Sequence, residues 1–164
     1  ILEKAINDSN AKNILELGVY LGYSTIRILR NLDNFSKLTS IESNKKFAEI
    51  AKEHIKISGL SENHELLIGK TTQIIPTLDE KFDFIFIDHW KDLYLEDLKM
   101  LERKKLIKHN AWIFADNVIL FNLEDYLGYV RSSPNYQSKF ISTKREYSKS
   151  HPDGIEISIF KDEI

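Results

Sequence analysis

Along this chain, short runs of apolar residues alternate with stretches in which apolar positions return every three or four residues. Asn13–Leu17 (NILEL), Lys37–Glu42 (KLTSIE), His64–Gly69, Phe82–Asp88 (FDFIFID) and Ala111–Asp116 (AWIFAD) are the runs. Each reads as a strand; Asn13–Leu17 reads as a buried one, and Phe82–Asp88 is the most apolar. Between them, Tyr23 to about Asn31 reads as a helix. Phe47, Ile50, Ala51 and Ile55 form one apolar face of another, which Ser43 or Asn44 would cap and Gly59 would end. Tyr94–Arg103 carries Leu95, Leu98 and Leu101 on one side, and Leu123–Val130 reads as a short helix. The tail changes character. Gln137–Arg145 and Gly154–Lys161 are two β-rich runs separated by a polar segment, which predicts an antiparallel hairpin at a sheet edge. Strand–helix alternation predicts an α/β fold: an open, mostly parallel, doubly wound sheet with helices on both faces and that hairpin at its C-terminal end.

Composition narrows the classes. At 164 residues the chain suits one domain spanning 1–164, with a real core. The net charge is −2 with the signs interspersed, which argues against a nucleic-acid partner. Cysteine is absent, so disulfides, thiolate metal sites and thiol nucleophiles are excluded. That suits a reducing, cytoplasmic setting. No apolar run approaches the roughly 18 residues of a membrane span, and no basic-then-apolar leader follows the initial Ile1. No membrane partner is expected, and the chain is expected to act as a monomer. Because the sequence starts at isoleucine, further residues upstream are expected.

In open α/β sheets ligands bind beyond the carboxyl ends of the strands. The residues ending the predicted strands include Glu16, Glu42, Asp88, Asp116 and Asn117. Any one acid there would ordinarily cap the next helix. Four carboxylates and an amide at one edge repel unless they hold a cation or a hydroxyl-rich ligand, so together they point to a site. The first loop, Gly18-Val19-Tyr20-Leu21-Gly22, has glycine spacing G-x-x-x-G rather than the G-x-G-x-x-G that cradles a dinucleotide pyrophosphate. Glu42 at the second strand end is placed to accept both hydroxyls of a ribose. A nucleoside without a diphosphate is expected, and S-adenosylmethionine fits.

Asp88, Asp116 and Asn117 offer oxygen donors only, which suits Mg²⁺. His89 adjoins these hard donors and is expected to pack or hydrogen-bond rather than ligate. Trp90 is either core or a flat face for adenine. Lys91 is the candidate base, since a nearby dication and sulfonium disfavour its ammonium form; the ordinary fate of such a lysine is solvated surface.

These residues resemble the catechol O-methyltransferases. The resemblance runs through ELGVYLGYS (Glu16–Ser24), SIESN (Ser40–Asn44), LIGKTTQIIPTL (Leu67–Leu78), FIDHWKDLYLEDL (Phe86–Leu98), FADNVI (Phe114–Ile119), YVRSSP (Tyr129–Pro134) and DGIEISIFK (Asp153–Lys161). The D-H-W-K-D-x-Y-L string is its most specific part. The resemblance implies a Rossmann-like class I methyltransferase sheet of seven strands. It implies cofactor contacts at Glu42 and Trp90, with Gly18, Tyr20 and Ser24 beside Glu16 at the methionine end. Thr71 and Thr72 fall where the family contacts adenine through Ser and Gln. Mg²⁺ would be held by Asp88, Asp116 and Asn117, with Lys91 as base. Glu146 matches a glutamate that binds the second catechol hydroxyl. Two departures stand out: the family's N-terminal helices lie ahead of the first residue here, and Phe121 replaces a proline that walls the substrate. Three other readings compete: a degenerate cofactor-binding module, a nicotinamide-dependent oxidoreductase, and a methyltransferase for a non-catechol acceptor.

Overall fold

A computed structural model describes residues 1–144 and 151–161. The elements, in chain order, are α1 (Leu2–Ser9), β1 (Asn13–Leu17), α2 (Tyr23–Leu29), β2 (Lys37–Glu42), α3 (Lys45–Ile57), β3 (His64–Ile68), α4 (Thr71–Ile74), β4 (Phe82–Ile87), α5 (Tyr94–Arg103), β5 (Ile107–Ala115), α6 (Glu124–Ser132), β6 (Tyr136–Lys144) and β7 (Pro152–Phe160). Single 3₁₀ turns at Ile75–Thr77 and Lys91–Leu93 follow α4 and precede α5. The seven strands form one sheet in the order β3-β2-β1-β4-β5-β7-β6. β1 to β5 are parallel, and β7 and β6 return antiparallel at the far edge. This is the class I methyltransferase, Rossmann-like architecture, with the expected hairpin.

Each central strand divides its side chains between two apolar layers. On β4, Phe84 and Phe86 join Ile6, Ile28, Ala51 and Ile55 of α1, α2 and α3. Ile85 and Ile87 face the other way, onto Tyr94, Leu98 and Leu101 of α5 and Tyr126 and Val130 of α6. Burial of both faces is why these strands read as continuous apolar runs.

Two expectations change. On α3 the buried stripe is Ala48, Ala51 and Ile55, whereas Ile50 is exposed and Phe47 only half-buried. Small residues let α3 sit close: a Cβ on Gly22, ahead of α2, would meet the Ala51 Cβ at 3.3 Å. Phe47 is thereby left outside the core, with its ring edge against Tyr20. β5 begins at Ile107 rather than Ala111. Ile107 pairs with Phe82, and the register slips before Trp112 pairs with Phe84. The exposed His109 and Asn110, the latter at φ 62°, mark that irregularity and hid the strand's start.

The register sets up the site. Leu17 pairs with Ile41 on one side and Ile87 on the other, and Ile87 pairs with Ala115. The parallel strands therefore end nearly level, and the residues that follow them emerge at one edge, on either side of β1 where the strand order reverses. Among the described residues, no helix is long and apolar enough to cross a membrane.

Candidate functional site

A cleft of about 1100 Å³ opens at that edge. Within it Glu42 is buried and accepts three backbone N–H groups. Its Oε2 takes the N–H groups of Val19 (3.1 Å) and Tyr20 (2.9 Å), and its Oε1 takes that of Asn44 (2.7 Å). Tyr20 lies in the left-handed region at φ 53°, which turns successive N–H groups toward the same carboxylate. Asn44 in turn caps α3 by accepting from the Lys46 and Phe47 N–H groups. The Glu42 oxygens keep lone pairs for a ligand in the cleft.

Gly18, Tyr20, Ser24, Thr71, Thr72 and Trp90 line the same cleft. The Thr71 Oγ1 is buried without a hydrogen-bond partner among the described residues, the condition of a group that a polar ligand would satisfy. Trp90 is not core. It is 72% exposed, with its indole N–H donating to the Asp92 carboxylate (3.1 Å), and so presents an apolar ring at the cleft.

Glu16 does not reach the cleft. It is wholly buried behind the wall, accepting hydroxyls from Ser24 (2.6 Å), Thr25 (2.8 Å) and Ser40 (2.6 Å). Its place is to tie α2 and β2 to β1, with Ser24 as its link to the cleft. Burial pushes its carboxyl up to about 7, against those three hydroxyls and with a further push from the charge of Asp88. An acid raised in the fold contributes its full stability below its ordinary value of 4.5 and loses it as pH rises through 7. Glu16→Gln should therefore gain on the wild type by about 3 kcal/mol between pH 5 and pH 8. Urea unfolding of both chains at the two pH values measures that gap. His64, pushed down to about 4 by burial, and Asp116 titrate in both chains and cancel. A gap independent of pH would mean that Glu16 is not the buried acid described.

Asp88, Asp116 and Asn117 follow β4 and β5. The Lys91 ammonium, in the turn after β4, donates to Asp88 Oδ1 (2.8 Å), Asn117 Oδ1 (3.2 Å) and the Tyr94 hydroxyl (2.7 Å). It also lies over the rings of Tyr94 and Phe121, at 4.9 and 5.4 Å from their centroids. Lys91 is thus not a solvated surface lysine; 15% of its side chain is exposed. Tyr94 donates onward to the Asp116 carbonyl (3.1 Å), and burial together with the charges of Asp88 and Asp116 holds its phenol well above the ordinary range, so it stays neutral. Burial first, then the charge of Asp88, lifts Asp116 to about 6, opposed by the Asn117 N–H and by Lys91.

These oxygens suit a hard dication. Two carboxylates and an amide present oxygen donors only, and Asp88 and Asn117 already converge on a cation, the Lys91 ammonium. Among the described residues no three carboxylates or imidazoles gather as a metal-binding group; the third donor here is an amide oxygen. His89 packs as expected, with its Nε2 on Asp97 Oδ2 (2.7 Å) and its ring stacked on Tyr94 at 5.3 Å. Glu146 lies outside the described residues.

Several contributors had no sequence signal strong enough to find them. Ile1, Leu2 and Glu3 bring the start of α1 to the cleft, and Thr143, Lys144, Asp153 and Ile155 bring the hairpin. α1 was not anticipated at all, although Leu2, Ala5 and Ile6 stand at helical spacing.

The O-methyltransferase family model matches residues 1–143. The chain belongs to the O-methyltransferase family. It is 39% identical to "Catechol O-methyltransferase B" of Danio rerio and 35% identical to "Catechol O-methyltransferase" of Bos taurus, each over 98% of this chain. It spans 62% and 61% of the length of those two relatives. Among solved structures, the O-methyltransferase from Bacillus cereus in complex with SAH superposes with a TM-score of 0.88 at 24% identity, over 98% of this chain and 79% of that one. In this O-methyltransferase-family chain, Gly18, Tyr20, Ser24, Glu42, Thr71, Thr72, Asp88, Trp90, Asp116 and Asn117 line the cleft, Lys91 adjoins it through Asp88 and Asn117, Glu16 lies behind its wall, and Glu146 is outside the described residues.

Proposed function

We propose that this chain transfers a methyl group from S-adenosylmethionine to one hydroxyl of a catechol-type vicinal diol, with Mg²⁺. The observation that carries this reading is the hydrogen bonding of the Lys91 ammonium to Asp88 and Asn117, two residues that line the same cleft as Glu42. A candidate base adjoins an oxygen-donor cluster that lines the same cleft as a carboxylate suited to a ribose. Relatives named catechol O-methyltransferase and a similar fold solved with SAH support it.

Glu42 would take the ribose hydroxyls while its backbone bonds hold the Gly18–Tyr20 loop in place. Trp90 would cover adenine, with Thr71 and Thr72 at its polar edge. Ser24 and Tyr20 would border the methionine end. Mg²⁺ held by Asp88, Asp116 and Asn117 would supply Lewis-acid acidification of the diol. Lys91, as the free amine, accepts a proton from one phenol at Nζ, and the Tyr94 hydroxyl keeps that nitrogen in position. The phenolate oxygen forms its bond to the methyl carbon as the sulfonium S–CH₃ bond breaks. The products are a methyl ether and S-adenosylhomocysteine, with the proton on Lys91. Opposite charges are neutralised in the step, so holding the oxygen and methyl close and aligned is the protein's main task.

The test is an acceptor panel with methyl-labelled S-adenosylmethionine. Catechol and substituted catechols should be methylated with Mg²⁺ and not with EDTA, while monophenols should remain unlabelled under both conditions. Equal labelling of monophenols, or labelling of catechols in EDTA, would overturn the diol and metal parts of the reading. No labelling of any phenol would overturn the whole.

A further inference from the structure

Asp153 belongs to none of the roles above, yet its carboxylate sits behind Asn117. It lies near the start of β7, 2% exposed, and borders the cleft. Its Oδ2 accepts from the Asn117 side-chain amide nitrogen at 2.9 Å. Its Oδ1 accepts from the backbone N–H groups of Leu120 (3.2 Å) and Gly154 (2.8 Å). The Val118 N–H donates to the Gly154 carbonyl at 3.0 Å, so the loop after β5 is fastened to β7 through backbone as well. Asn117 itself is in the left-handed region at φ 56°, a conformation that Asn and Asp tolerate better than other side chains.

An asparagine amide has two ends of nearly equal shape and opposite polarity, and its orientation is fixed by what surrounds it. Only the oxygen end can face a cation. On one side of Asn117 stands the Lys91 ammonium, which can only donate; on the other stands the Asp153 carboxylate, which can only accept. Both neighbours demand the same orientation. The Asp153 carboxylate is itself held by the Leu120 and Gly154 backbone N–H groups, so the acceptor facing the Asn117 amide nitrogen is fixed by backbone.

We propose that Asp153 is a positioning residue for the cation site. It holds the Asn117 amide with its oxygen toward the cation and fixes the loop that carries Asp116 and Asn117. The inference rests on the reading that Asp88, Asp116 and Asn117 hold Mg²⁺. Outer partners of this kind typically contribute 10- to 100-fold to metal affinity.

The experiment is calorimetric titration of MgCl₂ into the full chain saturated with S-adenosylhomocysteine, which cannot turn over. Asp153→Asn, nearly isosteric, can present either end of its own amide to Asn117 and should weaken Mg²⁺ binding by roughly 10- to 100-fold. The exchanged pair, Asp153→Asn with Asn117→Asp, restores a donor facing a carboxylate in the reverse sense. One oxygen of the new carboxylate then faces the cation whatever its rotation, and affinity should return to within a few-fold of wild type. Melting temperatures of all chains separate this effect from a general loss of fold, and if Asp153→Asn alone does not fold, the exchanged pair carries the test. Wild-type affinity in a folded Asp153→Asn chain overturns the proposal, as does an exchanged pair that folds and binds no better than the single variant. A wild-type chain that takes up no Mg²⁺ instead overturns the metal reading, and this proposal with it.

Discussion

Replacing Lys91 by methionine is expected to lower turnover of a catechol by roughly 10²- to 10⁴-fold, the usual contribution of a positioned acid–base group, while leaving affinity for S-adenosylmethionine within a few-fold of wild type. The separation follows from where Lys91 stands. Among the described residues its hydrogen bonds go to Asp88, Asn117 and Tyr94, and none goes to Glu42, Ser24, Thr71 or Trp90. Methionine keeps the length and the apolar contact with the Tyr94 and Phe121 rings but can take no proton. Lys91→Arg should not rescue, because a guanidinium stays protonated at any working pH. A chemically supplied primary amine should restore part of the rate. The measurement is single-turnover methyl transfer with and without added amine, beside a cofactor titration. Near-normal turnover in Lys91→Met would remove the base role. Loss of cofactor binding in step with turnover would make Lys91 a structural post of the cleft instead.

The sheet was legible because burial on both faces leaves an unmistakable mark. The alternating destinations of Phe84, Ile85, Phe86 and Ile87 all require apolar residues, so β4 reads as one run. The strand-end acids were legible for a related reason: Glu42, Asp88 and Asp116 interrupt apolar runs where the register brings the strand ends level. Glu16 was placed one step wrong. Sequence position put it at the rim, but a residue inside β1 with Ser24, Thr25 and Ser40 within reach is drawn behind the wall by hydroxyls that no spacing rule connects to it.

The face of α3 was misjudged because apolar periodicity weighs Phe47 and Ile50 above Ala48. Close approach to the sheet reverses that order, since only the small side chains fit. α1 escaped notice because eight residues with only Ala5 and Ile6 buried, and no side-chain cap at Ile1, give little periodic signal. Asp153 was invisible for a different reason. A single polar residue in a hairpin has no motif, and its meaning appears only when the fold sets it against Asn117, thirty-six positions away.

Gly18→Ala should be strongly destabilising. Gly18 follows β1 at φ +96°, where a Cβ is strained whatever the space. Here the space is also missing: an added Cβ would stand 2.6 Å from the Asp88 carbonyl oxygen and 2.8 Å from the His89 Cβ. Neither neighbour can yield easily. The Asp88 N–H donates to the Leu17 carbonyl at 2.9 Å, and the Gly18 N–H donates to the Ile41 carbonyl at 3.0 Å, so both backbones are pinned across the β2-β1-β4 edge. Strain at the dihedral costs roughly 1–3 kcal/mol and the forced displacement a similar amount. A total of about 2–6 kcal/mol lost from unfolding in urea is therefore expected. Gly59→Ala is the control. Its φ of +75° carries the same kind of strain, but a Cβ there meets nothing within 4 Å, so it should lose only the dihedral part. The difference between the two variants measures the clash alone. The clash also predicts a functional signature, because relief requires Asp88 to shift from its place between the β1 and β5 ends, which alters its spacing to Lys91 and Asn117. Gly18→Ala protein that remains folded should lose Mg²⁺ affinity and turnover together, whereas Gly59→Ala should keep both. Equal stability losses in the two variants would mean that the β1 and β4 ends can separate freely, and the close register on which the site depends would not be as tight as described.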